Sequence, residues 1–463
     1  TAPPAAPTPP PSQPGLIVVA PEALLPALED FVAFKRTLLP TTLVSLEASI
    51  AANEGCDDAE KLKRALYAAW KDKGVRYALL VGDVDVLPVR YMVLDRVTTE
   101  AFDYSFYPSD LYYADLARQD GSFDDWNARK DGFHAGYFGE VRGEKNKRDP
   151  INFDQVDYRP DIAVGRWPVN TLEETKRVAA KSIAHERRVL DGTHPALRAA
   201  SFIAVGGWVD ARGLMNTLAA RLPAGWTAAK RYYADPLADP PADPPAATAP
   251  AEAAIRPPTH AELIALLNSG TALVLHAGHG NDDSWDQCLS MAHLDRLHNE
   301  DRLPIMISAG CSTAACASLG PYTPYTDTRG VDHKGTNNGE VFHEPPPPAA
   351  PYQRGAMNAT GLGEQLLRRG DGGAVAYIGC NTGSQPCGLT LLEGFVGALR
   401  ASPTPRLGDC WNSAVSSYYD AHGLARIQPS ESWYPASIFF QCMKFMVFGD
   451  PSLRLAAPAQ GAP

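Results

Sequence analysis

A chain of 463 residues with a formal net charge of −11, 45% apolar and 21% charged, has room for two or three ordinary domains and the composition of a soluble globular protein. Its acidic balance, with no Lys/Arg-rich run, excludes a non-specific nucleic-acid binder. No apolar stretch approaches the ~20 residues of a membrane span.

Residues 1–14, TAPPAAPTPPPSQP, carry no initiating Met, basic segment or apolar signal core. They read as an extended tether or disordered end. Such a tether suits a secreted or cell-envelope enzyme, and cytosolic proteins carry similar ends. Runs at 16–20 (LIVVA) and 77–81 read as buried strands, flanking helical periodicity at 57–71.

The pattern then becomes loop-rich, and Asp110, Asp115, Asp120, Asp124, Asp125, Asp131 and Glu140 alternate with Tyr, Gly and Asn. Hard cations take several oxygens, so Asp110, Asp115 and Asp120 are candidate ligands of a structural Ca2+. The spacing does not match an EF-hand, and a solvated acidic loop is the other reading. A strand at 162–164 and a helix at 171–190 follow, and Gly192-Thr193-His194-Pro195 breaks the chain. Residues 15–195 are therefore expected to form a first α/β subdomain and 196–457 a second, with 458–463 as a tail. The second series opens with a strand at 202–205. Pro-rich insertions at 235–258 and 321–354 belong outside its core.

The second series holds the chemistry. Residues 271–275 (TALVL) form a short β-prone run that empties into His276-Ala277-Gly278-His279-Gly280, and 304–307 (PIMI) empties into Ser308-Ala309-Gly310-Cys311. Joined by a helix-like segment at 291–299, the two runs are expected as parallel neighbours with their carboxyl ends side by side, where open α/β sheets build sites. A thiol and an imidazole brought together there make the base-assisted nucleophile of acyl transfer. Cys311 is the candidate nucleophile and His279 its base. The N–H groups of Gly280 and Cys311 are the expected oxyanion donors.

Other uses of these residues fit less well. A zinc site of His276, His279, Cys311 and Cys316 has suitable ligand types and unsuitable spacing. Ser308 and Ser312 lie in no GxSxG elbow. His276 reads as a hydrogen-bonded residue at a strand end and Cys316 as a small buried apolar group. Trp285 is either a wall for a substrate side chain or core packing. Cys380 and Cys387 either bridge their loop in an oxidising compartment or stay free. The chemistry needs no cofactor.

The strand ends resemble those of the gingipain-like cysteine peptidases, a caspase-related group of clan CD (peptidase family C25), and GHGNDDSW is similar to that family's GHG block followed by a tryptophan. Further similar blocks are YALLVGD at 77–83, SDLYYAD at 109–115, PDIAVGRWPV at 160–169, GGAVAYIG at 372–379 and FGDPSLRL at 448–455. Together they span nearly the whole chain. The resemblance implies an α/β three-layer sandwich with two tandem caspase-like subdomains, the second catalytic. It also implies an endopeptidase acting on protein or peptide substrates through a Cys311–His279 dyad and an acyl-enzyme. Asp161 matches an acidic position that orients the histidine; its other reading is a cap or an ion pair with Arg166. A basic P1 residue is implied, with Asp282, Asp283 and Trp285 as candidate substrate contacts, as is calcium. Autoprocessing within the insertions, after Arg256, Arg329 or Lys334, is a further expectation. The same dyad would serve sortase-like transpeptidation, and a relative that binds peptides without cleaving them is the remaining alternative.

Overall fold

Alternate residues of the first strand enter different cores: Ile17 and Val19 pack into one, Leu16, Val18 and Ala20 into the other. A strand apolar on both faces must be covered on both, as parallel sheets are. The computed structural model describes residues 14–96, 104–130, 132–233, 258–317, 319–320, 324–326, 330–335 and 360–456. Helices Asp58–Lys73, Arg212–Ala220, Leu389–Ala401 and Leu407–Ala421 fill the first core. Helices Glu29–Arg36, Leu172–Leu190, His260–Ser269 and Leu362–Arg368 fill the second. This is the expected three-layer α/β sandwich.

The central layer has ten strands, numbered along the chain: β1 (Gly15–Ala20), β2 (Thr41–Ser45), β3 (Val75–Val81), β4 (Ala163–Trp167), β5 (Ala199–Ala204), β6 (Thr227–Tyr232), β7 (Leu273–Ala277), β8 (Ile305–Ser308), β9 (Ala376–Cys380) and β10 (Phe445–Phe448). Their spatial order is β2-β1-β3-β4-β10-β9-β8-β7-β5-β6. All pairs are parallel except β9–β10. Strands from both sides of residue 195 thus share one sheet, and β10 is the seam between them. A small sheet of Arg90–Leu94, Ser105–Ser109 and Phe138–Val141 lies apart.

Local chemistry sets the helix ends. Asp57 accepts from the Glu60 amide to cap one helix, which closes on Gly74 at φ 67°. Thr171 caps the helix Leu172–Leu190 through the Glu174 amide, and Thr259 with Glu262 forms a capping box before His260.

The segment between β7 and β8 corrects an expectation. A two-residue hairpin, Ser284–Trp285 with Leu289–Ser290, comes first, and only Met291–Arg296 coils, as a 3-10 helix. Residues 1–13, 235–257, 336–359 and 457–463, with Asp131, Arg256 and Arg329, lie outside the described residues. No helix among the described residues is long and apolar enough to cross a membrane.

Candidate active site

β7 and β8 pair in parallel with His276 opposite Ser308. Three residues beyond that pair stand His279 on one strand end and Cys311 on the other. Burial fixes the register, because a one-residue slip would turn Val274 and Met306 out of one core and Leu275 and Ile307 out of the other. His276 points into the second core, where its Nδ1 meets the Ser308 hydroxyl at 2.9 Å and its ring stacks on Trp285 at 4.3 Å. Burial pushes the His276 imidazole down to about 3, so it is neutral at working pH. Ser308 Oγ accepts from the Gly310 amide at 3.1 Å, which steers the chain into the turn that presents Cys311.

The two turns touch. A Cβ on Gly310 would lie 3.0 Å from the Gly278 carbonyl oxygen; one on Gly280 would lie 2.8 Å from the Cys311 carbonyl oxygen and collide with the Thr313 methyl group. Only glycine permits this approach. Ser312, next to the thiol, has φ 56°, a costly left-handed conformation for a residue with a side chain. Its amide is anchored to the Thr382 carbonyl at 2.7 Å.

Four adjacent strand ends supply the candidate groups. From β5, the Gly207 carbonyl lies 2.8 Å from His279 Nε2. A carbonyl only accepts, so Nε2 carries a proton and Nδ1 is the nitrogen left to exchange one. From β9, the Ser384 amide donates to Cys311 Sγ at 3.2 Å. Cys311 is half-buried and His279 is exposed. Among the described residues the Gly280 and Cys311 N–H groups have no hydrogen-bond partner, and the bridge between Gly280 and Trp285 is bonded through flanking residues. Both amides are free to face an oxyanion.

Several expected residues lie elsewhere. Asp161 is not joined to His279: its carboxylate takes the Leu116 and Ala117 amides at 2.8 Å each, which pins the loop after Asp115. Arg166 is not its partner either, since it forms a bidentate pair with Asp110 at 2.8 and 2.7 Å. Trp285 is fully buried and donates to the Tyr377 hydroxyl at 2.8 Å, so it packs the core and presents no face to a substrate. Asp282 and Asp283 are exposed just past His279, and Asp283 accepts from the Ser284 hydroxyl.

The calcium expectation does not fit its three carboxylates. Asp110 is taken by Arg166, Asp115 is buried against the Trp126 indole N–H, and Asp120 closes an exposed turn with Ser122. No group of three His, Cys, Asp or Glu among the described residues is arranged to hold a metal. All eight cysteines are free, Cys380 and Cys387 included.

Sequence reasoning missed Gly207 and Ser384. Both follow buried strands at the same edge, and the end of β9 in the GGAVAYIG block was the available signal.

A family model, "Peptidase family C25", matches residues 9–456. The chain belongs to peptidase family C25. This C25 chain is a cysteine peptidase, a hydrolase acting on proteins or peptides. Its fold is similar to that of the Arg-specific cysteine proteinase gingipain R (RgpB), with TM-score 0.59 and 16% identity over 96% of this chain and 78% of that one. It is also similar to the complex of Porphyromonas gingivalis RgpB pro- and mature domains, with TM-score 0.56 and 16% identity over 95% and 79%. A structure described only as a protease aligns with TM-score 0.54 and 14% identity over 96% and 78%. No curated protein matches the C25 chain.

Proposed function

We propose that this peptidase cleaves by acyl transfer through Cys311 and His279, preferring Arg or Lys at P1. One observation carries the dyad: a thiol and an imidazole three residues past a paired His276–Ser308 couple, on turns close enough that Gly280 admits no side chain. His279 Nδ1 takes the thiol proton as Sγ attacks the scissile carbonyl carbon, and the oxygen's charge falls to the Gly280 and Cys311 amides. The C–N bond breaks as His279 gives a proton to the leaving amine. Water then attacks the thioester, restoring the thiol and releasing the acid. The Gly207 carbonyl takes the orienting role expected of Asp161, by holding Nε2–H and leaving Nδ1 for the proton exchange.

Support for a basic P1 comes from the exposed Asp282 and Asp283 beside His279 and from the Arg specificity of the gingipain R relative. Autoprocessing is part of the proposal. Lys334 is exposed just past the short hairpin of Tyr325–Thr326 with Asp332–His333, and an RgpB relative forms a complex of pro- and mature domains.

Fluorogenic peptides with Arg, Lys, Asp or Leu at P1, offered to wild type and Cys311→Ala, test the reading. Cleavage of the Arg or Lys peptide, lost in the variant, is expected. Cleavage surviving in Cys311→Ala would remove the nucleophile; a preference for Asp or Leu would remove the specificity. Protein that stays a single band through full activity would remove autoprocessing.

A further inference from the structure

The turn after β9 is spent residue by residue on the Cys311–Ser312 turn and on one short segment, Gln441–Lys444, that leads into β10. The Asn381 amide donates to the Lys444 carbonyl at 2.7 Å, and the Thr382 carbonyl accepts from the Ser312 amide at 2.7 Å. The Gly383 carbonyl accepts from Lys444 Nζ at 2.6 Å. Ser384 sends its amide to Cys311 Sγ at 3.2 Å, a shorter contact than the 3.7 Å at which its carbonyl accepts from the resting thiol, while its hydroxyl accepts from Gln441 Nε2 at 3.0 Å. The Gln385 amide closes the series on Gln441 Oε1 at 3.2 Å.

Nothing in ordinary packing requires a glutamine and a lysine here. Gln441 is fully buried and Lys444 is 6% exposed, so both carry a desolvation cost that core formation alone would not select. Burial lowers the Lys444 ammonium; the Cys380, Cys387 and Cys311 thiols oppose that shift, and Arg96 adds to it.

We propose that residues 381–385 form a cradle for the nucleophilic sulfur, in which the Ser384 N–H is a catalytic donor to Cys311 Sγ and Gln441 and Lys444 are positioning residues that fix it. The inference rests on Cys311 being the nucleophile. An amide aimed at sulfur favours negative charge there, as the positive environments of reactive cysteines do. It acts before attack and again when the thiolate leaves the acyl group. Gln441 sets the place of the amide through the Ser384 hydroxyl and the Gln385 amide. Lys444 fixes the preceding carbonyl, that of Gly383, through Nζ.

Alkylation of Cys311 by iodoacetamide at pH 6, 7 and 9, read by mass of the Cys311 peptide, tests this in wild type, Lys444→Met, Gln441→Leu and Lys444→Arg, with thermal melting to confirm folding. Both apolar variants should react about tenfold more slowly at pH 7, the deficit closing at pH 9, because the missing groups favour thiolate over thiol. On a cleaved peptide, kcat should fall with little change in KM, and Lys444→Arg should recover most of both losses. Folded variants that react at the wild-type rate at every pH, or more slowly by the same factor at every pH, overturn the cradle. Should the apolar variants fail to fold, the near-isosteric Gln441→Glu carries the same comparison. Alkylation as expected with no peptide cleaved would leave the cradle standing and remove the peptidase role of Cys311.

Discussion

His276 and Trp285 lie face to face, 1° from parallel, with ring centroids 4.3 Å apart. This stack fixes the imidazole that holds Ser308, and Ser308 holds the amide of Gly310. His276→Ala should cost about 2–4 kcal/mol, from the lost stack and the lost hydrogen bond between the imidazole and the buried Ser308 hydroxyl, as measured by urea unfolding. The histidine also leaves a mark on pH dependence. Its folded value, about 3, lies below its ordinary 6.5, so the unfolded chain binds a proton that the folded chain refuses. Its contribution is present above about 6.5 and is lost as pH falls towards 3; the variant should lack that part of the acid slope.

Glu140 acts in the opposite direction. Burial raises it from 4.5 to about 7 against the nearby Arg142 guanidinium. The folded chain holds this proton more tightly, so stability from the neutral form is present below about 4.5 and lost as pH rises through about 7. Glu140→Gln should therefore lose less melting temperature than wild type between pH 6 and pH 8. An unchanged slope would show that Glu140 does not set the alkaline limit.

Gly280→Ala places a methyl group against the Thr313 side chain and the Cys311 carbonyl. The turn must move, and the Gly280 amide with it. We expect kcat to fall by about 10²–10³, the range seen when one oxyanion donor is removed. Steady-state kinetics on a cleaved peptide provide the check; near-wild-type kcat would place the oxyanion elsewhere.

Thiol labelling separates Cys311 from the rest. Six cysteines are buried, and Cys56, though exposed, has its thiol pushed up to about 12 by partial desolvation and by the Asp57 carboxylate. A disulfide reagent at pH 7 should therefore show one fast phase, absent from Cys311→Ala. A fast phase that persists in the variant would mean that another thiol is accessible.

Arg166→Met should cost about 3–5 kcal/mol, because it strands Asp110 without its buried bidentate partner. Denaturant unfolding measures the loss, and Arg166→Met paired with Asp110→Leu should return part of it.

What was legible in the sequence was local. The runs at 271–275 and 304–307 are each apolar and too short for a helix, and parallel pairing put His279 and Cys311, three places past the His276–Ser308 pair, beside each other. What escaped depends on distance along the chain. Ser384 reaches a thiol 73 positions away and Gln441 reaches Ser384 across 57, and no periodicity encodes such contacts. The acidic loop misled for a related reason: composition shows that Asp110 is a carboxylate but not that a guanidinium 56 residues on has already taken it.

The seam strand carries a consequence for synthesis. β10 occupies the middle of the sheet yet is made after the other nine strands, so on the ribosome β4 and β9 remain open edges until residues 445–448 emerge. Until then the cradle around Cys311 also lacks Gln441 and Lys444, and a nascent chain carries its nucleophile without the segment that readies it. Late delivery of that strand would hold the thiol quiet during the interval in which unfolded polypeptide, this chain's own included, is the nearest substrate.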